Sequence, residues 1–305
     1  MIRNFEDLTR VKNVGLSPRL VVAAAAEVDT LKAVSDAKKK HLIRAILIGS
    51  QHDILKISLT EKIDLTNTEI IDIEDPVIAC EKAVAMVREG QSDFIMKGLV
   101  DTNIFLKAVI SKTHGLMSGR LLSSVMVLKI STYHKFFILS DGGMIISPDL
   151  EKKKVIIENA LDLARILGIQ PIKVACLAAK EKVNPKMQAT VDAQSLKELW
   201  KTGYFGKDVI VDGPMAMDLV ISKKSAQVKG YVSEVAGDAD IVLAPNIETG
   251  NAIAKIMTYL GNAQLAGVVM GAAVPIVLTS RSDSYQNKLN SIALGAYIAT
   301  QGKTL

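Results

Sequence analysis

Short apolar runs that stop at a glycine or a carboxylate, each followed by a stretch of helical periodicity, recur along this chain, and no other feature limits its fold as strongly. Arg44 to Gly49 reads Arg-Ala-Ile-Leu-Ile-Gly, Asp93 to Gly98 reads Asp-Phe-Ile-Met-Lys-Gly, and Lys135 to Asp141 reads Lys-Phe-Phe-Ile-Leu-Ser-Asp. Runs that are apolar at successive positions are buried on both faces, as in parallel strands covered by helices on either side. Further strands are expected at Arg19 to Ala26, Thr68 to Ile73, Ser124 to Ile130, Val174 to Ala178, Val209 to Pro214 with an abrupt turn at Asp212-Gly213-Pro214, and Asp240 to Pro245. Helices are expected at Arg3 to Lys12, Ala33 to Lys40, a single turn at Ile54 to Ile57, and Pro76 to Glu89 with Val77, Cys80, Val84 and Val87 on one face and Gly90 as its stop. Others follow from Asn103, over Leu150 to Ile166, Val191 to Thr202 and Met215 to Ser222, from Gly250 to Tyr259 with the glycine starting it, and from Asn287 to Thr300. The fold class is therefore α/β with a parallel-rich sheet.

The chain's 305 residues are twice an ordinary domain of about 150, and 49% apolar against 23% charged content provides for sizeable cores and excludes a disordered or fibrous chain. No flexible linker interrupts it, so two lobes are expected to meet at a cleft, with the first boundary near Ile130. An excess of 37 basic over 32 acidic residues, dispersed along the chain and with only 4% aromatics, suits a phosphate-bearing small ligand better than nucleic acid. Cys80 and Cys176 read as buried thiols of a reducing compartment. The N-terminus lacks the order of a signal peptide, and the longest apolar stretch, Leu265 to Leu278, is too short and glycine-broken to span a membrane. A soluble cytoplasmic protein with no nucleic-acid or membrane partner is the expectation.

Standard nucleotide and hydrolase signatures are missing, and His41, His52, His114 and His134 form no ligand-spaced cluster, so no metal site is assigned. Three segments place polar groups directly after strands. Asp212 is equally suited to binding a ligand and to capping a helix. Asn246, Glu248, Thr249, Gly250 and Asn251 offer polar side chains and helix-start amides to an oxyanion, or a plain capping loop. In Thr279-Ser280-Arg281-Ser282-Asp283-Ser284 a guanidinium fork suited to phosphate oxygens, a hydroxyl donor and a carboxylate fall within four residues, although Asp283 or Ser284 is equally placed to cap the helix that follows.

These blocks, with Asp141 and its glycines, Asp212-Gly213-Pro214, Asp238-Ala-Asp240 and the run from Thr279 to Leu294, resemble the phosphate acetyltransferase and phosphate butyryltransferase family over most of the chain, and the butyryl branch more closely. The resemblance implies reversible acyl transfer between CoA and inorganic phosphate, with CoA or acyl-CoA and phosphate as substrates, no bound cofactor and no required metal. It implies two α/β lobes like the isocitrate/isopropylmalate dehydrogenase fold, the first spanning 1–130 and completed by 276–305, the second spanning 131–275, with the active site in the cleft and a homodimer or higher homo-oligomer as the assembly. By the same resemblance Ser280 steadies developing negative charge and Arg281 binds the phosphoryl group. Asp141, Asp212, Gly213, Pro214, the Asn246 to Asn251 turn and Lys288 contribute substrate contacts, although an exposed helix lysine is the simpler account of Lys288. Acetyl-transfer members carry a proposed aspartate base seven residues after the serine. Asn287 occupies that position here, and an amide cannot take the proton. Asp283 is the replacement candidate, ahead of Asp212 and Glu248. The alternatives are an acetyl-preferring enzyme and a noncatalytic acyl-CoA or acyl-phosphate sensor.

Overall fold

The computed structural model describes residues 2–10 and 17–301. Lys12, expected in the first helix, lies outside them. In chain order the elements are α1 (Phe5–Arg10), β1 (Arg19–Ala23), α2 (Val28–Lys39), β2 (Arg44–Gly49), α3 (Gln51–Thr60), β3 (Glu69–Asp72), α4 (Pro76–Arg88), β4 (Phe94–Lys97), α5 (Thr102–Val109), β5 (Ser123–Lys129) and β6 (Phe137–Ser140). They continue with α6 (Leu150–Ile166), β7 (Ile172–Leu177), α7 (Gln188–Lys201), β8 (Val209–Met215), α8 (Met217–Ile221), α9 (Lys223–Val228), β9 (Ile241–Leu243), α10 (Ile247–Tyr259), β10 (Gln264–Met270), β11 (Ile276–Val277) and α11 (Tyr285–Gln301).

Contacts divide the described chain into two compact units, one of residues 5–120 and 266–301 (the N/C unit) and one of residues 2–4 and 121–265 (the middle unit). The dividing points fall at Arg120 and Leu265, rather than near 130 and 275, because of strand pairing. β5 pairs antiparallel with β6 and so belongs with the strands that follow it, whereas β10 pairs antiparallel with β11.

In the N/C unit the strand order is β3-β2-β1-β4-β11-β10, parallel except for the last pair. α11 is buried on nearly all sides and packs against α1, α2, β4 and β11, where Leu289, Ile292 and Leu294 join Phe94, Met96 and Val277 in the core. Each such side chain removed from water contributes roughly 1.5–3 kcal/mol. In the middle unit the order is β5-β6-β9-β7-β8, parallel except for the first pair, over a core that includes Leu128, Phe137, Leu139, Val242 and Leu219.

Several elements depart from the sequence expectation for local reasons. The strand expected over Arg19 to Ala26 stops at Ala23, since Ala24 takes a φ of +54° that no strand continues through. The turn expected at Asp212-Gly213-Pro214 is instead strand interior, because β8 runs on to Met215, which pairs with Leu177 of β7 across a register shift. That pairing also removes Met215 from the expected helix, which starts at Met217. α10 starts at Ile247 rather than Gly250, because the Asn246 side chain accepts the Thr249 N–H at 3.0 Å and caps it three residues earlier.

Candidate active site

β1, β4 and β11 are adjacent and parallel, with Ala23 opposite Lys97 and Met96 opposite Val277. Their C-terminal ends bring to one edge the segments that lead into α2 and α5 and the turn that leads into α11, the edge of a parallel sheet where ligands bind. In that turn the Ser280 N–H donates to Asp283 Oδ2 at 2.7 Å and the Asp283 N–H returns to the Ser280 carbonyl at 3.1 Å. The Ser282 N–H reaches Ser280 Oγ at 3.4 Å, and the hydroxyls of Ser280 and Ser282 are 3.1 Å apart. Ser284 Oγ accepts the Asn287 N–H at 3.3 Å, so Ser284 caps α11 and Asp283 closes the turn before it. Ser280, Arg281 and Ser282 are exposed, and Arg281 takes part in no ion pair among the described residues.

Behind this turn lies a charged layer that the sequence does not announce. Lys288 is only 1% exposed and its ammonium pairs with Glu27, whose second carboxylate oxygen accepts the Thr30 hydroxyl. The exposed-lysine account of Lys288 is thereby corrected: the inner face of α11 turns it onto the β1–α2 connection. Lys97, the last residue of β4, is 3% exposed and donates from Nζ to the carbonyls of Gly98 at 3.2 Å and Val100 at 3.1 Å. Burial pushes its pKa down, and the positive charges of Arg281 and Lys288 push the same way against Glu27 and Asp101. Lys97 and Glu27 were missed in the sequence. The available signal was a lysine ending an otherwise apolar strand just before a glycine.

The middle unit places its predicted site residues differently. Asp141 is 2% exposed; its carboxylate accepts the backbone N–H groups of Ser124 at 2.8 Å, Gly143 at 2.7 Å and Met144 at 2.9 Å. Burial raises its pKa, with those hydrogen bonds opposing. Asp212 pairs with Lys197 at 2.6 Å and accepts the Gly213 N–H at 2.8 Å. Gly213 and Pro214 are buried strand residues, and a Cβ on Gly213 would lie 2.8 Å from Cys176 Cβ. In the Asn246 to Asn251 turn, three amides expected to face an oxyanion are already bonded: Ile247 to the Ile146 carbonyl, Thr249 to Asn246 Oδ1 and Gly250 to the Asn246 carbonyl. Gly250 packs backbone to backbone on Gly142, where a Cβ on either would lie 2.7 Å from the other, and Asn251 donates to the Gly142 carbonyl at 3.3 Å. Glu248 and Asn251 keep exposed side chains.

Residues 78–296 match the family described as phosphate acetyl/butaryl transferase. The chain belongs to that family. It is 40% identical over 300 residues to a phosphate butyryltransferase of Clostridium acetobutylicum, covering 98% of this chain and 99% of that one. It is 39% identical over 285 residues to a phosphate acetyltransferase of Thermotoga maritima, covering 93% and 96%. Among solved structures, a branched-chain phosphotransacylase from Enterococcus faecalis V583 superposes with a TM-score of 0.82 at 30% identity, over 92% of this chain and 99% of that one. In this phosphate acyltransferase chain both cysteines are free thiols buried away from water, and burial pushes the pKa of Cys80 up to about 11 and that of Cys176 up to about 12. Neither has the depressed pKa of a reactive cysteine. Among the described residues no group of three or more His, Cys, Asp or Glu is arranged to hold a metal ion, and no helix is long and apolar enough to cross a membrane.

Proposed function

We propose that the chain catalyses acyl-CoA + phosphate ⇌ acyl phosphate + CoA and prefers the butyryl group. The observation that carries this reading is the exposed Ser280–Arg281 pair, held on a turn that Asp283 closes, in a chain that matches a butyryltransferase along its whole length. Phosphate bound in the Arg281 fork attacks the thioester carbonyl, the Ser280 hydroxyl donates to the developing oxyanion, and CoA leaves as the thiolate. In the reverse direction the CoA thiol loses its proton and attacks the acyl phosphate. Asp283 Oδ2 fixes the Ser280 N–H, and we assign the remaining carboxylate oxygen as acceptor of that proton, in place of the amide at Asn287. A thiol of pKa about 8.5 requires little help from a base, so positioning and charge carry most of the rate.

Within this proposal Asp141, Asp212, Gly213, Pro214 and Asn246 set backbone positions in the middle unit, where Glu248 and Asn251 keep exposed side chains. Lys288 acts through Glu27. The reaction needs no bound cofactor or metal, and the protein is read as a cytoplasmic homo-oligomer of at least two copies whose fold is akin to the isocitrate/isopropylmalate dehydrogenases. Light scattering on the purified protein checks the assembly.

The deciding experiment is phosphate-dependent CoA release from acetyl-, propionyl-, butyryl-, isobutyryl- and valeryl-CoA without added metal. Turnover is expected to peak at butyryl-CoA, since each methylene buried in a fitted pocket contributes about 0.8 kcal/mol. A peak at acetyl-CoA would establish acetyl preference, the second reading, which the likeness to the Thermotoga enzyme favours. Absence of turnover on all five would overturn the transferase reading.

A further inference from the structure

Among the described residues no carboxylate is bonded to the buried ammonium of Lys97. Its Nζ has two neutral carbonyl acceptors, at Gly98 and Val100. The nearest acids are engaged elsewhere: Glu27 by Lys288 and Thr30, and Asp101 by the Asn103 N–H at the start of α5. Arg281, whose charge acts on Lys97, also takes part in no ion pair among the described residues. Buried charges in folded proteins are paired, because the desolvation of an isolated one costs several kcal/mol. Two cations at one strand-end edge, one of them buried and both without a counter-anion, mark a place prepared for a doubly charged anion.

We propose that Lys97 is a second phosphate-binding cation of this site, its ammonium facing the inner oxygens of a phosphate or acyl-phosphate phosphoryl group while Arg281 grips the outer ones. The inference rests on the acyl-transfer reading for the identity of the anion. Burial and the neighbouring cations make Lys97 easier to deprotonate, and an arriving dianion works the other way, so a proton taken up when phosphate binds in alkaline buffer is read as going to Lys97. The other charged groups around Lys97 are Arg281, Lys288, which pairs with Glu27, and Asp101, which accepts the Asn103 N–H, while the Cys80 thiol is pushed up to about 11.

The test combines steady-state kinetics with calorimetric titration of inorganic phosphate into the whole protein, in alkaline buffers of differing ionisation enthalpy. Expected for Lys97→Met is a KM for phosphate raised roughly ten- to a hundredfold, a KM for butyryl-CoA within about twofold of wild type, and loss of the proton uptake that wild type shows; Lys97→Arg should restore part of the phosphate affinity. Equal rises in both KM values with proton uptake retained would mean that Lys97 only braces the Gly98 to Val100 turn, and would overturn the inference. A rise confined to butyryl-CoA would assign the lysine to a CoA phosphate and overturn it equally. If Lys97→Met does not fold, Lys97→Gln takes its place, and a KM for phosphate equal to that of wild type in the folded variant overturns the inference. A wild type that binds phosphate with proton uptake yet releases no CoA from any thioester would sink the transferase reading while supporting the lysine's role.

Discussion

Asp283 closes the Ser280 turn, while Ser284 takes the helix cap, and in the proposed function Asp283 is also the thiol base. One oxygen receives the Ser280 N–H at 2.7 Å and fixes the turn, and the second is assigned to the thiol proton. Substitution separates them. Asn keeps an oxygen able to accept the Ser280 N–H but has lost basicity, whereas Ala loses both. Asp283→Asn should lower kcat of the thiol-attack direction by about tenfold near neutral pH, with KM for phosphate nearly unchanged and the rate now rising with pH toward the thiol pKa of about 8.5; Asp283→Ala should in addition raise KM for phosphate, as Arg281 loses its fixed turn. Unchanged kcat and pH profile in Asp283→Asn would reduce Asp283 to a positioning residue. Lys288 shows how a residue's role changes when its helix face is known. Read in one dimension it is a surface lysine, but on the inner face of α11 it is 1% exposed and holds Glu27.

At the scale of elements, α11 is the piece on which the candidate site depends. Ser284 caps its start and fixes where the Ser280 turn ends. Its further course lies so close to the sheet that a Cβ on Gly295 would meet Val277 Cγ2 at 2.7 Å and the Phe94 ring at 3.0 Å. Gly295→Val should therefore destabilise the protein by about 1–3 kcal/mol through overpacking, measured by chemical denaturation; a variant as stable as wild type would show that α11 has room to move. Helix and strand positions were largely legible in the sequence, because the period of a buried face is written locally. Their ends were less so. The Asn246 cap, the positive φ at Ala24 and the continuation of β8 through Pro214 each depend on a conformation or partner strand that a residue-by-residue reading does not supply.

At the scale of the whole molecule, each unit has its own core, and the N/C unit is assembled from two chain segments separated by 145 residues of sequence, Leu121–Leu265. At the starts of β6, β7 and β9 in the middle unit, Asp238 gathers Lys173 at 2.6 Å, His134 at 2.7 Å and Lys135 at 3.1 Å. Burial works against its charge, but these three donors outweigh it and hold the carboxyl well below the usual range. The sign follows: a carboxyl with a depressed folded pKa stabilises above its unfolded pKa of about 3.9, and that contribution is lost as pH falls toward the folded value. Asp238→Asn should cost roughly 1–3 kcal/mol at neutral pH, and the gap from wild type should close in acid. Denaturation curves from neutral pH downward check this; a gap constant with pH would mean that the cost is steric.

The sequence by itself determined the α/β class, the positions of most strands and helices, the Ser280-Arg281 pair and its family, because apolar period and short contiguous motifs are local properties of the chain. Tertiary structure alone decided which polar groups are left for a ligand. It bonded the carboxylate of Asp141 and three amides of the Asn246 turn within the middle unit, brought Glu27 to Lys288 across 261 residues of sequence, and buried Lys97 at the end of β4 with no carboxylate bonded to it among the described residues. Whether a polar group is satisfied depends on partners distant in sequence, and only the pairing of strands and the facing of helices bring those partners within hydrogen-bond reach.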